Sequence, residues 1–219
     1  MILQVEEENS EKSIIYYEED VISKAKQTEI YDWLESMQNF RQGQIGELPV
    51  SRFQKWYHTD KKYFSKDWKV EYDRWKSFDY CDKLYEYQCI IQKKTNTICS
   101  KYNLAYPKIN SCLINLYRNG DDIIKRHSDN QTSFGETPTI VILSLGQPRT
   151  IHFTRKIYNP VKQRSKINDN KNEHLNTSIL LKSGSILIMA GATQKYYFHG
   201  IEKEHVLKKR YSMTWREYI

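Results

Sequence analysis

The chain has 219 residues, enough for one sizeable domain with its own hydrophobic core. With 39% hydrophobic residues and 17 tyrosines, the composition argues against disorder over most of the chain, and no apolar run reaches the roughly 20 residues that a membrane span needs. The net charge of +7 makes nucleic acid a natural partner, although many basic proteins bind none.

The opening segment and the cysteines indicate the compartment in which the protein works. The segment MILQVEEENSEK is acidic, whereas a secretory signal starts with basic residues and an apolar stretch. The four cysteines show no CxxC spacing, so we expect reduced thiols instead of disulfides or a zinc site. We therefore expect an intracellular protein, in the nucleus or the cytoplasm. The cysteines are Cys81, Cys89, Cys99 and Cys112.

Two helical stretches are predicted in the first hundred residues. Residues 13–40 hold one that Ser23 can cap, and residues 81–100 again place apolar side chains at helical spacing. Between them, residues 51–80 are rich in aromatic residues and lysines. Such a composition suits either stacking on splayed bases or the packing of helices against a sheet.

After about residue 108 the sequence changes to short strands separated by turn residues. Many short strands of this kind suggest a sandwich or a jelly roll. The segment 155–174 is polar and almost free of apolar residues, so we expect a long loop there. The candidate strands are residues 112–117, 140–145, 151–154, 178–181, 185–189 and 211–217.

His127 and Asp129 form an H-x-D pair, which is the first motif that carries chemistry. Residues i and i+2 of an extended segment face the same side, so the imidazole and the carboxylate can reach one ion. His199 follows the aromatic run KYYF and can supply a second imidazole. Two histidines and one carboxylate leave metal positions open, as non-haem iron oxygenases require. The alternative for this motif alone is a surface His–Asp pair.

Two further motifs place polar side chains at strand spacing. Arg210 and Arg216 point the same way on a strand, with Ser212 between them, and the planar guanidinium matches a carboxylate. Such a row suits a dicarboxylic acid, and the alternative is a solvated edge strand. Asn115 and Tyr117 are also spaced i and i+2, and the alternative for them is a half-buried strand before an Asn–Gly turn.

The motifs follow the order and spacing of one known family. The segments NLYRNGDDIIKRHSD, SLGQPR, LKSGSILIMAGATQKYYFH and RYSMTWR closely resemble the AlkB family of nucleic-acid dioxygenases, over about residues 108–219. The family pattern runs N-x-Y-x-x-G, H-x-D, S-L-G-x-x-R, G-x-(three apolar)-M-x-G, H and R-x-x-x-x-x-R. Every element is present in order, which is far more specific than the H-x-D pair.

The resemblance implies an α+β fold with a double-stranded β-helix (jelly roll) core. The jelly-roll dioxygenase domain would span residues 108–219, after an N-terminal helical and nucleotide-recognition region, with a lid, over residues 1–107. Fe(II) would be the metal, with 2-oxoglutarate and O2 as co-substrates. The implied catalytic metal ligands are His127, Asp129 and His199. Arg210 would hold the distal carboxylate of 2-oxoglutarate, supported by Asn115, Tyr117, Ser212 and Arg216.

The resemblance also implies residues that contact the substrate, although this part of the pattern is incomplete. LPVSRFQKWYH retains Arg52 and Tyr57 of a lid segment in which the family has glycine at the position of His58, and Ser65 ends a second lid-like segment, KYFS. Asn130 and Gln131 would also contact the base. They stand where repair members carry acidic residues that favour cationic bases such as 1-methyladenine and 3-methylcytosine.

The activity that the resemblance implies is oxidative demethylation of alkylated bases in DNA, a direct-reversal repair that releases formaldehyde, succinate and CO2. The alternatives are an RNA demethylase or RNA-repair enzyme, then a dioxygenase acting on protein or lipid, and last a binding module without catalysis. We expect nucleic acid as the partner, DNA before RNA, no membrane association, and a monomer.

Overall fold

The computed structural model describes residues 1–7, 10–45, 48–60, 62–63, 76–159, 164–167 and 175–219. Within these ranges the chain forms fourteen strands and four helices. In chain order they are β1 (Ile2–Glu6), β2 (Lys12–Glu18), α1 (Lys24–Glu35), β3 (Arg41–Ile45), β4 (Leu48–His58), β5 (Phe78–Asp79), α2 (Asp82–Lys101), β6 (Ser111–Tyr117), β7 (Ile124–His127), α3 (Gln131–Phe134), β8 (Ile140–Gly146), β9 (Arg149–Asn159), β10 (Arg164–Ile167), β11 (Thr177–Leu181), β12 (Ser185–Gly191), α4 (Thr193–Tyr196), β13 (Tyr197–Ile201) and β14 (Arg210–Arg216).

The strands form two sheets that pack on each other. The larger sheet has the order β1-β2-β12-β8-β14-β6-β4-β3, with β5 beside β4, and the smaller has the order β10-β9-β13-β7, with β11 beside β9. One hydrophobic cluster joins them, with Ile140 and Met189 from the larger sheet and Phe153 and Leu181 from the smaller. This is the two-sheet architecture of a jelly roll, as the sequence predicted.

The other face of the larger sheet packs against α1 and α2. Ile30 and Leu34 of α1 and Leu84, Tyr87 and Ile91 of α2 belong to one buried cluster with residues of the sheet. Two helices that cover one face leave the opposite face free to form a cavity with the smaller sheet. Among the described helices, none is long and apolar enough to span a bilayer.

Alternation along β14 separates these two faces. Tyr211, Met213 and Trp215 are buried in the helix-side cluster, and Arg210 and Arg216 lie on the face toward the smaller sheet. Successive strand residues point to opposite faces, so one strand contributes both to the core and to a polar wall. The register of β14 therefore decides which side chains reach the cavity.

The first predicted helical stretch is correct in one part and wrong in another. α1 begins after Ser23, whose Oγ accepts a hydrogen bond from the Lys26 N–H at 3.2 Å. Before it, residues 12–18 form β2 instead of helix, between β1 and β12. Ile14 and Ile15 are both buried because the two faces of β2 are covered. A continuous apolar run of this kind does not show the period that distinguishes a strand from a helix.

The six candidate strands and the second helical stretch are all confirmed, with one extension. Residues 151–154 belong to the longer β9, which continues to Asn159 and pairs with β10, so Lys156 lies opposite Ile167. The predicted loop is therefore wrong for residues 155–159 and 164–167, because backbone pairing in a hairpin does not require apolar side chains. The rest of that segment, residues 160–163 and 168–174, lies outside the described residues.

Strands from the first half of the chain complete the larger sheet. β2 pairs with β12, and β4 pairs with β6, so the jelly roll includes segments on both sides of the predicted division at residues 107 and 108. That division stays a prediction. Because β4 belongs to the larger sheet, it forms one wall of the cavity between the sheets.

Candidate metal centre and its cavity

A cavity of about 770 Å³ is lined by residues of both sheets and by the turns around β7. Its apolar wall includes Ile140 and Met189 of the larger sheet and Ile151 and Ile201 of the smaller sheet. Its polar wall includes the side chains that the H-x-D pair, the two arginines of β14 and the N-x-Y motif contribute. A mostly apolar pocket with a few convergent polar groups is typical of a ligand site.

The two histidines and the aspartate meet at the β7 and β13 pair. His127 and His199 are directly opposite in the antiparallel register, and their ring centroids are 4.4 Å apart. Asp129 follows β7 by two residues, and its Oδ1 lies 3.5 Å from His127 Nε2. One candidate ligand atom from each of the three residues lies within 4.8 Å of the other two. The structure therefore brings together the three ligands that the sequence predicted.

The hydrogen bonding and electrostatics of these side chains fit a divalent iron ion. His127 Nδ1 lies 2.9 Å from the Lys125 carbonyl and donates to it in the tautomer that leaves Nε2 for a metal. Burial, together with the neighbouring His127, lowers the pKa of His199 to about 3, so this imidazole is neutral. Burial alone would raise the pKa of Asp129, but the Arg216 guanidinium and the imidazoles hold it well below its usual range. Two imidazoles and one carboxylate suit Fe(II).

Two contacts hold Asp129 in place, and its Oδ1 remains directed toward His127. Arg216 Nε lies 2.8 Å from Asp129 Oδ2 in a buried ion pair. Gln194 Oε1 accepts a hydrogen bond from the Asp129 backbone N–H at 3.0 Å. The sequence analysis did not identify Gln194, which is buried on the short helix α4 just before His199. In the sequence, Gln194 is only a polar residue within a segment that is otherwise buried. Its hydrogen-bond partner could be identified only from the fold.

Arg210 is buried in the wall of the cavity with only part of its guanidinium paired. The residue is 1% exposed, and its Nη2 donates to Ser144 Oγ at 2.9 Å. Nε and Nη1 have no hydrogen-bond partner among the described residues. The guanidinium carbon lies 4.9 Å from the centroid of the Tyr117 ring. A buried cation with unpaired donors in a cavity is costly unless an anion binds there.

A polar row beside Arg210 crosses three strands. Asn115 on β6 lies opposite Ser212 on β14, and Asn115 Nδ2 donates to Ser212 Oγ at 3.4 Å. From β4, Arg52 Nε and Gln54 Nε2 both donate to Asn115 Oδ1, at 2.9 and 3.0 Å. The structure therefore brings Asn115, Tyr117, Ser212 and Arg210 into one cavity, as predicted, and adds Gln54 to them.

The residues predicted to contact the substrate are placed differently. Arg52 lines the cavity, but Tyr57 does not, because they are five positions apart and an odd spacing on a strand puts two side chains on opposite faces. Tyr57 is buried against Phe78, with ring centroids 5.9 Å apart, and its hydroxyl lies 3.9 Å from Met37 Sδ. Tyr57 therefore faces the helices and not the cavity, contrary to the prediction that it contacts the substrate. Ser65 lies outside the described residues.

Asn130 and Gln131 are both exposed after the H-x-D pair, and only Asn130 lines the cavity. Asn130 is the N-cap of α3, and its Oδ1 accepts a hydrogen bond from the Thr132 N–H at 2.9 Å. Gln131 is the first residue of that helix. Of the two residues that were expected to contact the base, only Asn130 therefore reaches the cavity, and Gln131 stands just outside it.

Two residues of the family motifs lie outside the cavity wall and hold the turn before β7. Arg149 is fully buried and donates to the carbonyl oxygens of Asn119 at 2.9 Å and Asp122 at 3.0 Å. Gly120 approaches another segment so closely that an added Cβ would stand 1.6 Å from the Glu204 carbonyl oxygen. These contacts fix the path of the chain into the strand that carries His127.

The sequence resembles known dioxygenases over the region of the motifs. A family model described as the 2OG-Fe(II) oxygenase superfamily matches residues 15–216. The human alpha-ketoglutarate-dependent dioxygenase alkB homolog 3 is 38% identical over 108 residues, which cover 49% of this chain and 36% of that protein. The Arabidopsis thaliana DNA oxidative demethylase ALKBH2 is 30% identical over 107 residues, which cover 44% of this chain and 33% of that protein. The matched region thus spans about a third of the length of these relatives.

Solved structures share the fold at low sequence identity. OsALKBH1 gives a TM-score of 0.60 at 13% identity, covering 93% of this chain and 97% of that chain. A 2OG-Fe(II) oxygenase family oxidoreductase from Burkholderia pseudomallei gives a TM-score of 0.58 at 11% identity, covering 93% and 84%. These likenesses confirm the predicted jelly-roll fold.

Proposed function

Because the chain belongs to the 2OG-Fe(II) oxygenase superfamily, we propose that it oxidatively demethylates alkylated bases in DNA. It uses Fe(II), with 2-oxoglutarate and O2 as co-substrates. The observation that carries the proposal is that the His127, Asp129 and His199 cluster lines the same cavity as the partly unpaired Arg210 guanidinium. A metal ligand set and an anion site in one enclosure are what a 2-oxoglutarate oxygenase requires.

The residues of the cavity divide into two groups by the ligand that each would hold. His127, Asp129 and His199 would hold the iron, which with 2-oxoglutarate and O2 supplies the oxidation of an N-methyl group to a product that releases formaldehyde. Arg210 would pair with the distal carboxylate of 2-oxoglutarate through its Nε and Nη1. Arg216 acts through Asp129, because its ion pair occupies Oδ2 and keeps Oδ1 available.

The substrate assignment is supported by the relatives and by the charge of the cavity walls. One matched relative carries the name of a DNA oxidative demethylase, and the other is a dioxygenase of the AlkB group. Lys125 and Lys203 line the cavity and can contact phosphates beside a bound nucleotide. The target base must leave the stack to reach the metal, at a cost of roughly a few kcal/mol in duplex.

The direct test uses defined oligonucleotides with one methylated base, in DNA and RNA forms, incubated with the protein, Fe(II), ascorbate and 2-oxoglutarate. Mass spectrometry should show loss of the methyl group from the DNA strand together with succinate. Loss from RNA alone would reassign the substrate to RNA. Succinate formation without any change in either nucleic acid would favour a protein or lipid substrate.

We expect binding of the protein to oligonucleotides to weaken as salt rises, because the net charge is +7. If three basic side chains contact phosphates, the Kd should increase roughly 20- to 40-fold between about 50 and 200 mM salt. Fluorescence anisotropy at several salt concentrations measures the slope. Lys125→Gln should make the slope less steep, whereas Lys24→Gln, on α1 at the other face of the sheet, should leave it unchanged. No measurable binding at low salt would contradict a nucleic-acid substrate.

Base choice should depend on the two amides after the H-x-D pair. We expect Asn130→Asp with Gln131→Glu to raise the rate on cationic 1-methyladenine more than the rate on neutral 3-methylthymine. A unit charge about 4 Å away at an effective dielectric near 20 contributes on the order of 4 kcal/mol, and a third of this, about 1.4 kcal/mol, is about tenfold in the ratio of kcat/KM values. Asp is as good an N-cap as Asn, so α3 should persist.

The single variants separate the two positions. Because Asn130 lines the cavity and Gln131 does not, Asn130→Asp alone should give most of the change. Steady-state rates on the two oligonucleotides provide the ratio. A wild-type protein that already prefers cationic bases, with no further gain in the double variant, would show that another residue recognises the charge.

A further inference from the structure

Arg52 is an arginine in the cavity wall whose contacts do not match a substrate-binding role. It is half-buried on β4, and its Nε donates to Asn115 Oδ1 at 2.9 Å. Its Nη1 donates to the Ile123 carbonyl at 3.2 Å. Both acceptors are neutral oxygens, so within the described part of the chain these contacts do not neutralise its charge. Arg52 uses these hydrogen-bond donors on the cavity wall, whereas an arginine that binds nucleic acid directs its donors to phosphates or bases.

The strand segment that carries Arg52 is attached to the turn between β6 and β7. Ser51 Oγ accepts from the Ile123 N–H at 2.9 Å, and the Ser51 carbonyl accepts from Arg118 Nη2 at 2.9 Å. The Arg118 side chain is itself held by the buried carboxylate of Asp122 at 2.8 Å. Arg52 is therefore part of a braced wall instead of a lid that closes over a base, and braced side chains are suited to positioning others.

The Asn115 amide receives its orientation from these contacts. Its Oδ1 accepts two hydrogen bonds, one from Arg52 and one from Gln54, so both lone pairs of that oxygen are occupied. The Nδ2 group is then the part of the amide left for a ligand, apart from its long contact to Ser212. The Nδ2 group is a hydrogen-bond donor and therefore suits an anionic co-substrate. If the Asn115 amide were flipped, its oxygen would face the carboxylate oxygens of the co-substrate. Without its two donors, nothing among these contacts would prevent that flip.

We propose that Arg52 is a positioning residue of the 2-oxoglutarate site, not a contact of the nucleic acid. Together with Gln54 it holds the nitrogen of the Asn115 amide available for 2-oxoglutarate, and its positive charge favours a dianion in the same cavity. The proposal rests on the proposed function, since it takes Asn115 and Arg210 to bind 2-oxoglutarate.

The test compares 2-oxoglutarate binding with oligonucleotide binding in the same variants. Titration calorimetry of 2-oxoglutarate is carried out on the full chain with Mn(II) under anaerobic conditions, and oligonucleotide binding is followed by anisotropy. Arg52→Met removes a charged donor, so its Kd for 2-oxoglutarate should rise roughly 10- to 100-fold, while its Kd for the oligonucleotide changes less than about twofold. Gln54→Leu, which removes a neutral donor, should give a smaller rise, and Arg52→Lys should lie between wild type and Arg52→Met.

The controls distinguish failure of this inference from failure of the proposed function. Arg210→Met should lose 2-oxoglutarate binding in the same assay. If Arg210→Met binds normally, the co-substrate site is misplaced and the proposed function fails with it. If Arg210→Met loses binding and Arg52→Met does not, only the inference is overturned. Weaker oligonucleotide binding in Arg52→Met with unchanged 2-oxoglutarate binding would return Arg52 to the substrate site, as the sequence predicted.

Discussion

Replacing His127, Asp129 or His199 with alanine is expected to abolish succinate formation in each case, at saturating iron. The metal has only three protein ligands, because the other positions must stay open for O2 and 2-oxoglutarate. Loss of any one ligand therefore destroys the metal site. The cluster is compact, with the candidate ligand atoms within 4.8 Å of one another, and no other such cluster is found among the described residues. Succinate production, measured over a range of Fe(II) concentrations, checks the expectation.

The three variants should differ in stability although they share the loss of activity. Asp129→Ala also leaves the buried Arg216 without its carboxylate, and breaking a buried ion pair typically costs about 3–5 kcal/mol of unfolding free energy. The two histidine variants remove no such charge. His152→Ala on β9 is the matched control, because this imidazole contacts Ser178 and does not line the cavity. Near-normal turnover in any of the three ligand variants would contradict the metal assignment.

Arg210→Ala is expected to remove most of the affinity for 2-oxoglutarate and to leave nucleic-acid binding unchanged. The guanidinium is 1% exposed and two of its three nitrogens have no partner among the described residues, so the anion would complete its hydrogen bonding. Truncating one partner of a buried charged pair costs about 2–5 kcal/mol. Calorimetric titration of 2-oxoglutarate into the anaerobic Mn(II) form measures the loss.

A matched arginine and a second ligand make this result specific. Arg126→Ala, on β7 beside the site, removes an exposed pairing with Glu202 at 2.7 Å and should leave the 2-oxoglutarate Kd unchanged. The oligonucleotide Kd of Arg210→Ala should equal that of the wild type. If Arg210→Ala binds 2-oxoglutarate with unchanged affinity, the co-substrate lies elsewhere in the cavity.

The metal cluster could be predicted from the sequence because its geometry depends on local spacing and on one family pattern. His127 and Asp129 are two residues apart at the end of a strand, which brings their ligand atoms together whatever the rest of the fold. The position of His199 opposite His127 required the pairing of β13 with β7, which spacing alone does not provide. The order of the family motifs supplied that information.

The wall contributed by β4 could not be predicted in the same way. Its residues Arg52 and Tyr57 were grouped because they are close in sequence, yet the strand directs one to the cavity and the other to the helices. The sequence showed an aromatic, basic segment without revealing that it is a strand paired with β6. Gln54 and Gln194 were missed because a polar residue in a buried position acquires meaning only from a partner that is distant in the chain.

The position of β14 in the larger sheet has a consequence for how the protein is made. This strand comes last in the order of the strands, yet it lies between β8 and β6 near the middle of the sheet. Synthesis proceeds from the amino end, so β6 and β8 are made before β14. They can be joined into one sheet only after β14 has been added between them. Arg210 and Arg216 are added with it, so an unfinished chain lacks both the guanidinium that would bind 2-oxoglutarate and the ion pair that holds Asp129. We therefore expect that nascent chains cannot consume the co-substrate, and that the oxidising chemistry begins only when the sheet is closed.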